Sequence, residues 1–206
     1  MGQLTSVLEA NQRFAESFDK GDLEIPPARN IAALTCIDAR IDPAKALGLD
    51  IGDAHVIRNA GGRATDDAVR SLLISSWLLG TREFLVIHHT DCGMAKFTDD
   101  AVAEIIAERS GEDVSDLDFF TFRDLDQSVR DDVDRISSLG QIPADATVSG
   151  HVYDVRTGTL REVVPAEQPI GRDAPFSRSL GALAANAARA PREMFLAVRI
   201  WEGTPA

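Results

Sequence analysis

Two cysteines and a tandem histidine are the residues of this 206-residue chain best suited to hold a metal ion. Cys36 opens the run Cys36-Ile37-Asp38-Ala39-Arg40, and Cys92 closes the run His88-His89-Thr90-Asp91-Cys92. Thiolate and imidazole suit zinc, and three protein ligands leave a fourth tetrahedral corner for water, the pattern of a catalytic site rather than a structural one. Successive strand residues face opposite ways, so one histidine of the pair should face the ion. The short loop spacing to Cys92 favours His89, with His88 packed or hydrogen-bonded behind the sheet. Isolated thiols would read as small buried hydrophobes. Here each follows an apolar run with the look of a strand, and the carboxyl edge of an α/β sheet is where ligands bind. With no secretion signal in the sequence, a disulfide is not expected.

Asp38 and Arg40 stand two and four residues beyond Cys36, so at a strand end they project to the same side as the thiolate. An Asp beside such an ion either becomes a fourth ligand or accepts a hydrogen bond from the metal-bound water. Pairing with Arg40 keeps it ionised and turned away from the metal, which favours the second role. Arg58-Asn59-Ala60-Gly61-Gly62 marks a tight turn where glycines let the backbone approach a site closely, which makes Ala60, Gly61 and Gly62 candidates for lining a substrate pocket. The run is neither a dinucleotide fingerprint nor a Walker sequence. His55 and His151 read as satisfied core or edge histidines, and Asp91 as a loop acid near the site rather than a ligand.

The elements that must carry these residues follow from periodicity. Leu4 to Phe18 repeats at helical spacing and ends before Gly21 and Pro26-Pro27. Ile31 to Thr35, Asp53 to Arg58, Phe84 to His88 and Thr147 to Val155 read as strands, with Leu160 to Val164 as a fifth after the Thr157-Gly158 turn. Between them, Thr65 begins a helix running to a Gly80 cap, and acidic helices lie around Asp99 to Arg109 and Leu125 to Leu139. Strands alternating with helices predict an α/β fold, with a mostly parallel central sheet of four to five strands flanked by helices on both faces. Residues 1–165 read as the catalytic domain. Residues 166–206, Ala-rich and then apolar, read as a C-terminal extension, helical then extended, packed on the core or on a partner subunit.

Composition bounds the function. Lys plus Arg total 21 against 33 Asp plus Glu, a net charge of −12, and the segment from Lys96 to Arg135 holds 13 acids and 5 bases. Binding to nucleic acid or to an anionic membrane surface needs a basic face and is not expected. No apolar run approaches the roughly 18 residues of a membrane span. The absence of a basic n-region and apolar h-region makes the cytoplasm the expected compartment.

With these residues in hand, the chain resembles the β-class carbonic anhydrases, especially the compact bacterial branch that includes carbonyl sulfide and carbon disulfide hydrolases. The matching segments are CIDAR at Cys36 to Arg40, DAHVIRNAGG at Asp53 to Gly62, TDDAVRS at Thr65 to Ser71, HHTDCGM at His88 to Met94 and FTDD at Phe97 to Asp100. A weaker match runs through HVYDVRTGTLREVVP to Pro165, so the likeness covers about four fifths of the chain. The resemblance implies one Zn2+ per chain on Cys36, His89 and Cys92, an Asp38–Arg40 catalytic dyad, and an obligate homodimer or a dimer of dimers. It implies reversible hydration of CO2 to hydrogencarbonate by zinc-activated hydroxide. Hydrolysis of carbonyl sulfide (COS) or carbon disulfide (CS2) by the same hydroxide is the nearest alternative, and a non-catalytic zinc-stabilised scaffold is the alternative of another class.

Overall fold

The computed structural model describes residues 2–167. Five strands form one sheet: β1 (Ile31–Cys36), β2 (Ala54–Asn59), β3 (Glu83–His89), β4 (Thr147–Tyr153) and β5 (Leu160–Glu167). Their order is β2-β1-β3-β4-β5, with β1 to β4 parallel and β5 antiparallel to β4. The wholly apolar reading of the first strand is realised, since every residue of β1 after Ile31 is buried. Pro165 lies in β5, an edge strand, where its missing N–H costs no internal ladder bond.

The helices are α1 (Gln3–Ala15), α2 (Pro43–Leu47), α3 (Asp66–Leu79), α4 (Asp99–Ser110) and α5 (Leu125–Ser137). The hydroxyls of Thr65 and Thr98 accept the N–H groups of Ala68 and Ala101 and start α3 and α4, and the Asp124 carboxylate does the same for α5. Gly80 ends α3 in the left-handed conformation at φ 77°. The short α2 was not foreseen, although Asp42 caps it, Pro43 begins it and a left-handed Gly48 ends it, all readable signals.

Chirality decides which face each helix covers. From β1 the chain steps one way to reach β2, then steps back past β1 to reach β3, and onward to β4. Right-handed crossovers therefore place α2 on one face and the later helices on the other. Accordingly Ala68 and Leu72 of α3 pack with Val129, Val133 and Ile136 of α5 against Leu34, Phe84, Val86 and Val148 in the main core. The opposite face receives five-residue α2 near the carboxyl edge, where Pro43, Ala46 and Leu47 approach Thr35, Ile87 and Tyr153. Helices thus flank both faces, unequally.

Some boundaries move. Helix α1 stops at Ala15, three residues before the predicted end, although the Phe14 and Phe18 rings still meet at 5.4 Å. Strand β5 continues past the expected Val164 to Glu167. The rest of the predicted C-terminal extension lies outside the described residues. Among the described residues, no helix is long and apolar enough to cross a membrane.

Candidate metal centre

The reversal of strand order lies between β1 and β3, the neighbouring pair whose crossovers lead to opposite sides of the sheet. Such a switch point opens a crevice at the carboxyl ends of the two strands. Cys36 ends β1, His89 ends β3 and Cys92 follows three residues later. All three are buried, and their donor atoms lie within 4.8 Å of one another, close enough to converge on one ion.

The histidine ring is oriented from behind. Its Nδ1–H donates to the Thr90 carbonyl at 2.9 Å, which leaves the lone pair on Nε2. Among the described residues, that Nε2 is the buried side-chain polar atom without a hydrogen-bond partner. A buried polar nitrogen normally finds a partner because leaving it unpaired is costly. The cysteines complete the donor set. A hydrogen bond from the Cys92 thiol is the main influence lowering the Cys36 pKa, against burial, with the N–H groups of Asp38 and Gly61 assisting. The same Cys36 contact, with burial, pushes Cys92 up. A thiolate, a neighbouring thiol that can yield its proton, and an imidazole lone pair together fit a zinc ion.

Beside this cluster, Arg40 grips Asp38 with both ends of its fork, Nη2 to Oδ2 at 2.7 Å and Nε to Oδ1 at 3.0 Å, while its backbone N–H donates to Oδ1 at 2.9 Å. Hydrogen bonding from the Arg40 guanidinium holds the Asp38 carboxyl far below the usual range, although burial opposes this. The nearer carboxylate oxygen stays 3.8 Å from His89 Nε2, beside the cluster but turned from it. Arg40 has a second carboxylate: its Nη1 donates to Asp91 at 2.8 Å and its Nη2 to the Asp91 carbonyl at 3.0 Å. Lys96 holds the other Asp91 oxygen at 2.7 Å. Asp91 therefore steadies Arg40 rather than joining the donor set.

The glycine turn approaches the cluster through its backbone. Ala60–Gly62 form a short 3-10 turn, with Ala60 exposed and both glycines buried. Gly62 sits at φ +71°, where a Cβ would lie 3.0 Å from the Cys36 nitrogen and the Thr35 carbonyl carbon. The Asn59 amide closes this turn, accepting the Arg63 N–H and donating to the Arg63 carbonyl, both at 2.7 Å. Ile41 and Phe122 pack with the two cysteines, and Met94, Tyr153 and Val155 extend this apolar shell.

The remaining histidines lie elsewhere. His88 is buried, with Nε2–H donating to Asp132 at 3.0 Å and Nδ1 paired with the Ser128 hydroxyl at 2.8 Å. His55 meets Ser75 at 2.7 Å and His151 meets Ser149 at 3.0 Å, and burial lowers the pKa of each. His55 pairs with Ala32, four residues and about 13 Å before the end of β1. Three contributors escaped the sequence reading. Arg58 donates to the carbonyls of Cys36 at 2.9 Å and Asp38 at 2.8 Å, pinning the loop that carries the dyad. Arg63 and Asp132 form a buried ion pair behind the site. The available signal was Asp132 itself, an acid on the apolar stripe of α5 between Val129, Val133 and Ile136.

Residues 31–119 match the carbonic anhydrase family model. β-Carbonic anhydrase 1 of Mycobacterium tuberculosis is 44% identical over 158 residues, covering 77% of this chain and 96% of its own length. A carbon disulfide hydrolase from Saccharolobus solfataricus is 38% identical over 162 residues, covering 67% of this chain and 79% of its own. The crystal structure of carbonic anhydrase from Streptococcus mutans superposes with a TM-score of 0.76 at 44% identity, covering 79% of this chain and 98% of that one. A switch-point Cys-His-Cys cluster flanked by an Asp–Arg pair, with this extent of likeness on either side, places the chain in the β-carbonic anhydrase family.

Proposed function

We propose that this protein binds one zinc ion on Cys36, His89 and Cys92 and reversibly hydrates CO2 to hydrogencarbonate. The observation that carries this reading is the unpartnered, buried Nε2 of His89, aimed at two sulfurs and standing 3.8 Å from an ionised Asp38. Zinc, when bound there, supplies the Lewis acidity that brings the pKa of a water toward about 7 and leaves one coordination position open. Asp38 is an acceptor, held ionised and oriented by Arg40. It takes a hydrogen bond from the attacking water and turns the lone pair of that water toward the substrate carbon. Ile41, Phe122 and Met94 give the crevice an apolar wall, suited to a linear substrate without a dipole. The Ala60–Gly62 turn brings backbone rather than bulk to the same edge.

The carbon disulfide hydrolase relative supports a second reading, in which the same centre attacks COS or CS2. A zinc-stabilised scaffold would need neither Asp38 nor Arg40 and would carry four protein ligands. Zinc content per chain, stopped-flow CO2 hydration, and sulfide release from COS and CS2 separate the three. Fast hydration is the expected result. Sulfide release outpacing hydration would move the assignment to the second reading, and bound zinc without turnover would move it to the third.

The working unit in this reading is a homodimer, alone or paired again. Its support is helix α1, which buries none of its residues and exposes Leu4, Val7, Leu8 and Phe14, a face that a 13-residue helix cannot leave unpacked and remain folded in water. The reading also sets the protein in the cytoplasm, where two free thiols stay reduced.

A further inference from the structure

Behind the metal centre lies a set of buried charges that the reaction as written does not use. Arg63 Nε donates to Asp132 Oδ2 at 2.7 Å and its Nη2 to Oδ1 at 3.3 Å. His88 Nε2 shares the same Asp132 oxygen at 3.0 Å. Arg63, Asp132 and His88 are 8%, 3% and 0% exposed. A buried ion network of this kind is frequently less stabilising than an apolar cluster of the same volume, so stability alone is a weak reason for it.

Its attachments suggest another reason. Arg63 follows Gly62, whose backbone lies against Cys36. His88 precedes His89 on β3. The third arm of the Arg63 fork donates to the Phe120 carbonyl at 2.7 Å, on a residue held at φ 55°. Two residues on, the Phe122 ring stacks on His88 at 5.6 Å and lies 5.5 Å from the Arg63 guanidinium carbon. The Phe122 N–H donates to the carbonyl of Met94, two residues past Cys92, and its ring packs with both cysteines. Arg63 and His88 thus adjoin the glycine turn and a donor directly in sequence, and the Phe120 loop reaches the segment two residues past Cys92 through the Phe122 N–H.

We propose that Arg63, Asp132 and His88 form a positioning network that locks the glycine turn, the end of β3 and the loop around Phe120 into the geometry the metal centre needs. This rests on the zinc reading above and extends it to residues outside the donor set. Outer partners of metal ligands change affinity or activity by about 10- to 100-fold when removed.

The test uses the full zinc-loaded chain and three readouts: thermal midpoint, zinc affinity by chelator competition, and kcat and KM separately. Asp132→Asn leaves Arg63 buried without its carboxylate and should lower all of them except KM. The double variant Arg63→Met/Asp132→Leu removes both charges and should regain thermal stability. Its zinc affinity and kcat should stay about 10- to 100-fold low. If the double variant regains wild-type zinc affinity and kcat along with its stability, the network is structural only and the proposal falls. Should that variant not fold, Arg63→Lys keeps the charge but loses the fork. Weakened zinc binding with a lowered kcat at constant KM supports the proposal, and unchanged values overturn it. Wild-type protein that binds no zinc would overturn the functional reading as well, a different failure from wild-type zinc binding with unaffected variants.

Discussion

In the proposed mechanism, Asp38 is the residue on which catalysis and mere metal binding part company. It is not in the donor set and is held in place by three hydrogen bonds from Arg40. Asp38→Asn should therefore leave zinc bound while the rate of CO2 hydration falls roughly 10²-fold or more, the scale of losing one aligned group at the reacting centre. Metal analysis beside stopped-flow rates checks both halves. Asp91 acts one step further out, through Arg40 and Lys96 on a half-exposed surface. Asp91→Asn should lower the rate by less than about tenfold, because exposed ion pairs contribute little and Asp38 still holds Arg40. A loss as large as that of Asp38→Asn would make Asp91 a partner in the reaction rather than a support.

At the scale of elements, the site depends on a strand end and a turn that share backbone contacts. Gly62→Ala adds a methyl where Thr35 and Cys36 leave 3.0 Å, on a residue already at φ +71°. It should cost about 1–3 kcal/mol in thermal unfolding and also weaken zinc retention. Thr65→Ala, only three residues away, removes the cap that accepts the Ala68 N–H and a longer 3.4 Å bond from the Asn59 amide, and should cost about 1 kcal/mol while weakening zinc retention less than Gly62→Ala does. Comparing the two separates the stability of α3 from the geometry of the turn that precedes it.

At the scale of the whole molecule, the buried ion pair contributes to the response to acid. Burial alone would raise the Asp132 pKa, but hydrogen bonds from His88 and Arg63 outweigh it and leave it below the ordinary value. An acid whose pKa is depressed on folding adds stability above its unfolded pKa, about 3.9, and loses it as pH falls from there through the folded value. The gap in melting temperature between the wild type and Asp132→Asn should thus be widest near neutrality and narrow below about pH 4. Melting curves from pH 3 to 7 check the sign. A gap that stays constant across that range would mean that Asp132 titrates alike in the folded and unfolded chain.

Much of this protein was legible in one dimension because the relevant physics is local. Cys36, Asp38 and Arg40 share one short run, and His89 stands three residues from Cys92, so covalent spacing alone brings most of the centre together. Among the described residues, short apolar runs marked each strand, and helical periodicity, acidic character or the Thr65 and Gly80 caps marked each helix except α2, which its own cap and proline also signal. Other features came only with the folded chain. Arg63 finds Asp132 across 69 residues and Arg40 finds Asp91 across 51, pairings that depend on which strands are neighbours and in what register. The handedness of the crossovers put α3 and α5 on the same face, and with them the carboxylate that His88 meets. Local spacing says which side chains travel together. Only closure of the sheet decides which distant ones they meet, and so which nitrogen is left without a partner.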